Sequence, residues 1–413
     1  MRAARRRTWP PVLPAGPVTE QLRDRACIVG VGESRFGKRG SLTDVGSLRL
    51  ALDAIHAAAA DAGIDVGDID GFSSFHDDGT PPSDLTMALP TKEWSYSAMT
   101  WGGGGSGLAT AVLNAVMAVV TGRAHHVVVV RSIVQGRVRL GGSWVDNVDP
   151  DSLPRSFQYT VPFGFAIAPA LYAMRARRHM AEFGTTPDHF AAVAIEARRN
   201  AARNPRAIFR EPLTIEQHHA SRIIADPLRL FDCCMESDGA GAFIVTTADR
   251  SKDLRQPPVA IAAISTAVQP GWVTPVSYVE PDDVLASAGL RRAADELYRT
   301  AGIGPADVDV ALIYDGTTAG VLLALEDWGF CKRGDGGPFV ADGEISIEKG
   351  SVPVNPHGGS LAEAYLQGLN HMVEGVRQLR GTSTNQVAGA EVALYTSSVG
   401  YPPGGGVLLR RAS

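Results

Sequence analysis

The feature that most limits how this chain can fold is a repeat. The nine residues Ala62-Gly63-Ile64-Asp65-Val66-Gly67-Asp68-Ile69-Asp70 return as Ala301-Gly302-Ile303-Gly304-Pro305-Ala306-Asp307-Val308-Asp309. The spacing holds without a gap, since 301 − 62 = 239 and 309 − 70 = 239. In both copies a helical pattern precedes the Ala-Gly-Ile and a strand pattern follows the last Asp. A looser likeness continues. Gly102-Gly103-Gly104-Gly105-Ser106-Gly107 leads into an apolar helix to Val120, then Gly122 and the run Val127-Val128-Val129-Val130. Gly358-Gly359-Ser360 leads into an apolar helix to Leu379, then Gly381 and Val392-Ala393-Leu394-Tyr395. A single repetition at this distance is a domain duplication, because solenoid periods run to only about 20–50 residues. Two related α/β halves are expected, with mostly parallel sheets covered by helices.

The expected boundaries follow from this. Residues 1–23 read as a flexible arm: Arg2, Arg5, Arg6 and Arg7 are followed by Pro10, Pro11, Pro14 and Pro17, which forbid a continuous helix. The N-terminal half runs over 24–250 and the C-terminal half over 251–413, with a mainly helical insertion at about 140–225. A strand at 27–32 and a helix at 45–62 capped by Gly63 open the first half. Gly30-Val31-Gly32 is no dinucleotide fingerprint, because Arg35 stands where the third glycine would be. Asp238-Gly239-Ala240-Gly241-Ala242 reads as a sharp turn.

Composition removes several functions. A net charge of −5 implies no nucleic-acid surface. The longest apolar stretch, 161–174, contains Pro169 and falls short of the roughly 20 residues of a bilayer span. Cys27, Cys233, Cys234 and Cys331 form neither a disulfide framework nor a zinc ribbon, so a reducing, cytoplasmic setting without a metal is expected.

A set of strings, ordered along 26–409, narrows the reading. They are Asn200-Ala-Ala-Arg-Asn204-Pro205, Asp226-Pro-Leu-Arg-Leu-Phe-Asp232-Cys-Cys234, Ser237-Asp238-Gly-Ala-Gly-Ala242, Leu325-Glu326-Asp-Trp-Gly329-Phe-Cys331, Val354-Asn355-Pro-His357-Gly358-Gly359 and Gly400-Tyr401-Pro-Pro-Gly404-Gly405-Gly406. With the duplicated halves they resemble the thiolase superfamily, in its lipid-transfer-protein, sterol-carrier-protein-x-type branch. The resemblance implies duplicated βαβαβαββ halves forming a five-layered αβαβα core with an inserted helical loop region.

The family's catalytic positions are replaced. Gly104 stands where the resemblance puts the nucleophilic Cys, and Tyr365 where it puts the general-base His after the paired glycines. Tyr314-Asp315-Gly316-Thr317 occupies the His/Asn turn, and Pro402 the second Cys. Thiolysis needs a thiolate and a base to activate it, and this chain lacks both at those positions. Cys233 and Cys234 lie far along the chain from the nucleophile loop. The pattern is similar to the steroid side-chain aldolase subgroup, whose catalytic tyrosines match Tyr314 and Tyr365. That resemblance implies retro-aldol cleavage of a β-hydroxyacyl-CoA to a ketosteroid and a short acyl-CoA such as propionyl-CoA, with no covalent intermediate. An enolate then needs an oxyanion hole, expected from the backbone of Gly104, Gly404 and Gly405. Asp315, Asn355, His357, Glu363 and His371 are nearby in sequence and are the candidate supports for the two phenols. Which tyrosine is acid and which is base stays open.

Other polar clusters read as structural. His125-His126 suits a turn, His218-His219 a solvated helix start, and Arg175, Arg177 and Arg178 a solvated helix face, with a diphosphate contact as the alternative. Asp232 and Asp238 are expected to hold turns. The resemblance further implies a homodimer, coenzyme A only as part of a steroid-type substrate, and a separate small OB-fold protein with a zinc ribbon, giving an α2β2 assembly. The competing reading is a non-catalytic acyl-CoA-binding subunit.

Overall fold

The structure is a computed structural model, and it describes residues 21–75, 78–100, 104–136, 161–163, 165, 167–268, 289–397, 399 and 403–412. Most of the expected arm, and Pro402, lie outside the described residues. Nine of the described strands follow one path: β1 (Ala26–Glu33), β2 (Gly71–Phe75), β3 (Tyr96–Thr100), β4 (Val127–Ile133), β5 (Ser237–Thr247), β6 (Val259–Ala267), β7 (Val310–Ile313), β8 (Val392–Thr396) and β9 (Gly404–Arg411). Their order is β7-β8-β9-β6-β1-β5-β4-β2-β3, and the two-residue strand Gly37–Lys38 pairs off this path with β5.

The repeat is visible in this order. β2-β4-β5-β1 and β7-β8-β9-β6 are equivalent runs, and β2 and β7 start 310 − 71 = 239 residues apart. The halves join where β1 meets β6, Cys27 opposite Ala260 and Ile28 opposite Val259.

The sheet is mixed rather than mostly parallel. Among these nine strands only β2 with β3 and β4, and β7 with β8, run parallel; β4–β5, β5–β1, β1–β6, β6–β9 and β9–β8 are antiparallel. A parallel neighbour needs a crossover helix. The link 397–403 between β8 and β9 is too short for one, so the chain turns back on itself.

Strand patterning sets the layers. Val127 and Val129 of β4 face one core while Val128 and Val130 face another, and Val310 and Leu312 alternate with Ala311 and Ile313 in the same way. Strands buried on both faces read as unbroken apolar runs. Helix α1 (Ser47–Ala62) covers the outer face of the first half. Helices α2 (Gly107–Val120) and α7 (Leu369–Arg380) lie between the halves and share a core with strands of both. Helices α3 (Ala168–Phe183) and α4 (Pro187–Ala202) of the insertion, with α5 (Leu290–Ala301) and α6 (Thr318–Asp327), cover the outer face of the second half. These are the five layers.

The Gly-rich string 238–242 is interior to β5, not a turn. The small residues there admit α7: a Cβ on Gly241 would fall 2.3 Å from Leu369 Cδ2. No described helix is long and apolar enough to cross a membrane.

Candidate active site

Both tyrosines are placed by backbone clamps. Tyr314 follows β7, and its N–H donates to the Thr396 carbonyl at 3.1 Å. Asn355 grips the preceding residue twice, accepting from Ile313 N–H and donating to Ile313 O, each at 2.8 Å. Tyr365 lies between the short helix Gly359–Ala362 and α7. Its N–H donates to Ser237 Oγ at 2.8 Å, and that hydroxyl donates back to the Tyr365 carbonyl at 3.3 Å. The two phenolic oxygens meet 3.2 Å apart, with both side chains 6% exposed.

Gly105, from the turn Gly104–Ser106 that leads into α2, supports the Tyr314 ring closely. A Cβ there would fall 2.0 Å from Tyr314 Cε2, and the Gly105 carbonyl accepts from the Tyr395 hydroxyl at 3.0 Å. Ile133 and Met235 complete an apolar cluster with the two rings, and Ile208, Phe209 and Cys234 pack against it.

Burial raises both phenols above the ordinary value, because the charged form is deprived of water. Tyr314 is held well above it, with Tyr365 and Cys234 adding to the effect. Tyr365 is pushed up to about 12; burial and Cys234 raise it, while the Tyr314 hydroxyl, the Gln367 side chain and Arg131 draw it back.

Behind Tyr314 sits a polar lattice. Asp315 accepts from Ser360 N–H at 2.7 Å and Leu361 N–H at 3.1 Å, and His371 Nε2 lies 3.0 Å from its Oδ1. The His371 ring stacks beside Tyr314, 24° from parallel at 6.4 Å, and His357 meets His371 edge-on at 4.8 Å. Burial keeps His357 neutral, its pKa well below the usual histidine range, with His371 and two arginines adding to the effect. Glu363 accepts from Asn204 Nδ2 at 2.7 Å and Asn370 Nδ2 at 2.9 Å. All the expected supports thus lie in one lattice, and Asn355 acts on the backbone that carries Tyr314.

The remaining residues divide between expected and unexpected places. Gly104 opens the turn before α2, and Gly404 starts β9 opposite Ala267. Gly405 is not a free donor: its N–H is committed to Ser397 Oγ at 2.7 Å. Cys234, distant along the chain from the nucleophile loop, packs against the two tyrosines, in the segment that leads into β5. Burial, then neighbouring Cys233 and acids, holds its thiol well above the usual range, which disfavours the nucleophilic thiolate. His218 is buried, its Nε2 2.8 Å from Asp232 Oδ1, because Asp232 caps a turn against α6 and also accepts from Thr318 Oγ1. Arg175 is buried too, donating to the Val399 carbonyl, whereas Arg177 and Arg178 pair at the surface with Asp226 and Glu182. Asp70 holds the backbone N–H groups of His125 and His126.

Residues 273–404 match the family model described as thiolase C-terminal domain-like. Over 393 residues, 94% of this chain and 100% of the relative, the sequence is 42% identical to the 17-hydroxy-3-oxo-4-pregnene-20-carboxyl-CoA lyase of Mycobacterium tuberculosis. It is 37% identical to the steroid side-chain-cleaving aldolase of Thermomonospora curvata, over 94% of this chain and 98% of that one. The solved Ltp2-ChsH2(DUF35) aldolase superposes with a TM-score of 0.86 at 35% identity, covering 94% of this chain and 98% of its own. The chain belongs to the thiolase-fold steroid side-chain-cleaving aldolases. It is a carbon–carbon lyase.

In this aldolase the lattice has a pH signature. Burial, and the charge of Glu33, push the Glu363 carboxyl up to about 8. The unfolded chain loses that proton near the ordinary carboxylate value, whereas the folded chain keeps it to about 8. The contribution of Glu363 to stability is thus complete below the ordinary value and is lost as pH rises towards 8. Glu363→Gln is expected to flatten the decline in urea-unfolding stability between roughly pH 5 and pH 8. An unaltered decline would assign it to other groups.

Sequence reading missed Ser237 and Arg131. Ser237 adjoins a Gly-rich string and gave a signal only as part of it. Arg131 lies within β4 after its run of four valines, and its burial beside Asp78, 3.6 Å away, is a property of the fold.

Proposed function

We propose that this aldolase cleaves a β-hydroxyacyl-CoA steroid side chain by retro-aldol chemistry, releasing a ketosteroid and a short acyl-CoA such as propionyl-CoA. The observation that carries the reading is the hydrogen-bonded pair Tyr314–Tyr365, sealed in an apolar pocket against Gly105. In the mechanism both phenols begin protonated, as their raised pKa values require. The substrate's β-hydroxyl gives its proton to one phenolic oxygen, that phenol passes its own proton across the 3.2 Å contact, and the second phenol protonates Cα. The new C=O forms as the Cα–Cβ electron pair passes through the thioester enolate to Cα, and each phenol ends as it began.

The enolate oxygen is received by the Gly104 N–H, where the N-terminal dipole of α2 favours negative charge. No covalent cysteine intermediate is needed, and the high pKa of Cys234 supports its absence. Coenzyme A arrives as part of the substrate, with no tightly bound cofactor. The solved relative is an aldolase in which Ltp2 is joined by ChsH2(DUF35), and that pairing supports a separate small OB-fold, zinc-ribbon partner here. A homodimer fits the edge strand β3, where Met99 is 42% exposed; Trp94, just before the strand, and Met117 of α2 are exposed as well. Together these make an α2β2 assembly in the cytoplasm.

The test is to incubate the purified chain, alone and with the OB-fold partner, with a β-hydroxy steroid acyl-CoA. Stoichiometric ketosteroid and short acyl-CoA are expected from the complex. Ligand binding without either product would favour a non-catalytic subunit.

A further inference from the structure

A carboxyl group and an imidazole, both fully buried, face each other behind the phenols: His371 Nε2 lies 3.0 Å from Asp315 Oδ1. The carboxyl already accepts backbone N–H groups on both oxygens, Ser360 on Oδ1 at 2.7 Å and Leu361 on Oδ2 at 3.1 Å. Gly359 makes room for it, since a Cβ at this left-handed residue, φ 63°, would fall 2.0 Å from Asp315 Oδ2. With both oxygens engaged as acceptors, the group presents a carboxylate to the imidazole, and Nε2 donates.

The other ring nitrogen meets an acceptor too. His371 Nδ1 lies 3.3 Å from Asn370 Oδ1. The orientation of that amide is fixed. Its Nδ2 donates to the Glu363 carboxyl at 2.9 Å and to the Ala364 carbonyl at 3.1 Å, and a carbonyl can only accept. Both nitrogens of His371 therefore donate, which is the imidazolium form, and a buried carboxylate calls for such a paired positive charge. The other rings around it are the Tyr314 phenol, 24° from parallel at 6.4 Å, the Tyr395 phenol at 6.4 Å and His357, neutral and edge-on at 4.8 Å. Glu363 connects to it only through Asn370.

We infer that Asp315 and His371 form an ion pair of positioning residues that holds the two phenolic oxygens at their 3.2 Å separation. The inference rests on the lyase reading and deepens it. Asp315 directly follows Tyr314, Ser360 and Leu361 belong to the short helix that leads to Tyr365, and His371 stands in the first turn of α7 beyond it. One carboxylate thus ties together the three segments that carry or flank the phenols. The imidazolium compensates its charge and, stacked beside Tyr314, fixes the tilt of that ring. A proton crosses between the phenols only while their oxygens stay within hydrogen-bond reach, so the pair governs the relay without touching the substrate.

The experiment uses the complex with the OB-fold partner and compares Asp315→Asn, His371→Gln and the double variant. It reads kcat, KM, Tm and the imidazole nitrogen NMR signals of histidine-labelled protein. In the wild type one histidine is expected to carry a proton on both ring nitrogens. Its signals should vanish in His371→Gln and move to those of a neutral ring in Asp315→Asn. Each single variant is expected to lower kcat by about 10²-fold with KM little changed, the cost of misplacing a reacting group by about 1 Å. The double variant should lose no more than the worse single one, because removing both members leaves no uncompensated buried charge. A singly protonated His371 in the wild type, or single losses that multiply in the double variant, would overturn the ion pair. Wild-type kcat in the folded fraction of both single variants, whatever their Tm, would leave the pair a structural role and overturn the inference, while the lyase reading stands on cleavage by the wild type. A wild-type complex that does not cleave removes the lyase reading and the positioning role together.

Discussion

Tyr365→Phe and Tyr314→Phe are each expected to lower cleavage by roughly 10²–10⁴-fold, the range for removing one positioned proton-transfer group. Each variant keeps the ring that fills the apolar cluster and loses only one oxygen of the 3.2 Å contact. The cost in stability is then that of a single hydrogen bond, about 1 kcal/mol, and acyl-CoA binding should be retained. Either variant breaks the relay between the phenols, so neither should form product in a single turnover while both still bind the acyl-CoA. Rapid-quench product analysis with a ligand-binding assay reads both outcomes. Full turnover in both variants, or an acyl adduct trapped on a side chain, would exclude the mechanism.

Gly105→Ala is the second large effect. A methyl at this position would stand 2.0 Å from Tyr314 Cε2, so either the ring or the turn before α2 has to move. Asn355 fixes the backbone just before the ring and His371 stacks beside it, so displacement breaks the contact with Tyr365. Misplacement of a reacting group by about 1 Å is worth about 10²-fold in rate. Cleavage is expected to fall by about that factor, with the secondary structure intact by circular dichroism. Wild-type turnover in Gly105→Ala would mean that the ring has slack the packing does not show.

Much of this was legible in the chain. The 239-residue repeat locates both halves, and apolar runs such as 127–130 mark strands buried on two faces. Replacement of a cysteine by Gly104 and a histidine by Tyr365 carried the reading of the site, which no local periodicity signals. What escaped has a common cause. The antiparallel centre of the sheet depends on connection length, not on strand pattern. The turn read into 238–242 turned on glycines that exist to admit Leu369. The burial of Arg175 and His218 is decided by partners on distant segments, Val399 and Asp232. Gly405 looked available because the hydroxyl that claims its N–H, Ser397, lies in another strand's extension. The left-handed φ of 54° at Gln367 gave no signal at all, since a backbone dihedral has no spelling in residue types other than glycine.

Gly105 belongs to one copy of the duplicated unit, and the two tyrosines belong to the other. Neither ancestral piece holds a complete reaction centre, and chemistry arises only where they dock. Turnover on heating should accordingly vanish with the cooperative melting of the whole molecule, because an intact but separated half has nothing to catalyse with.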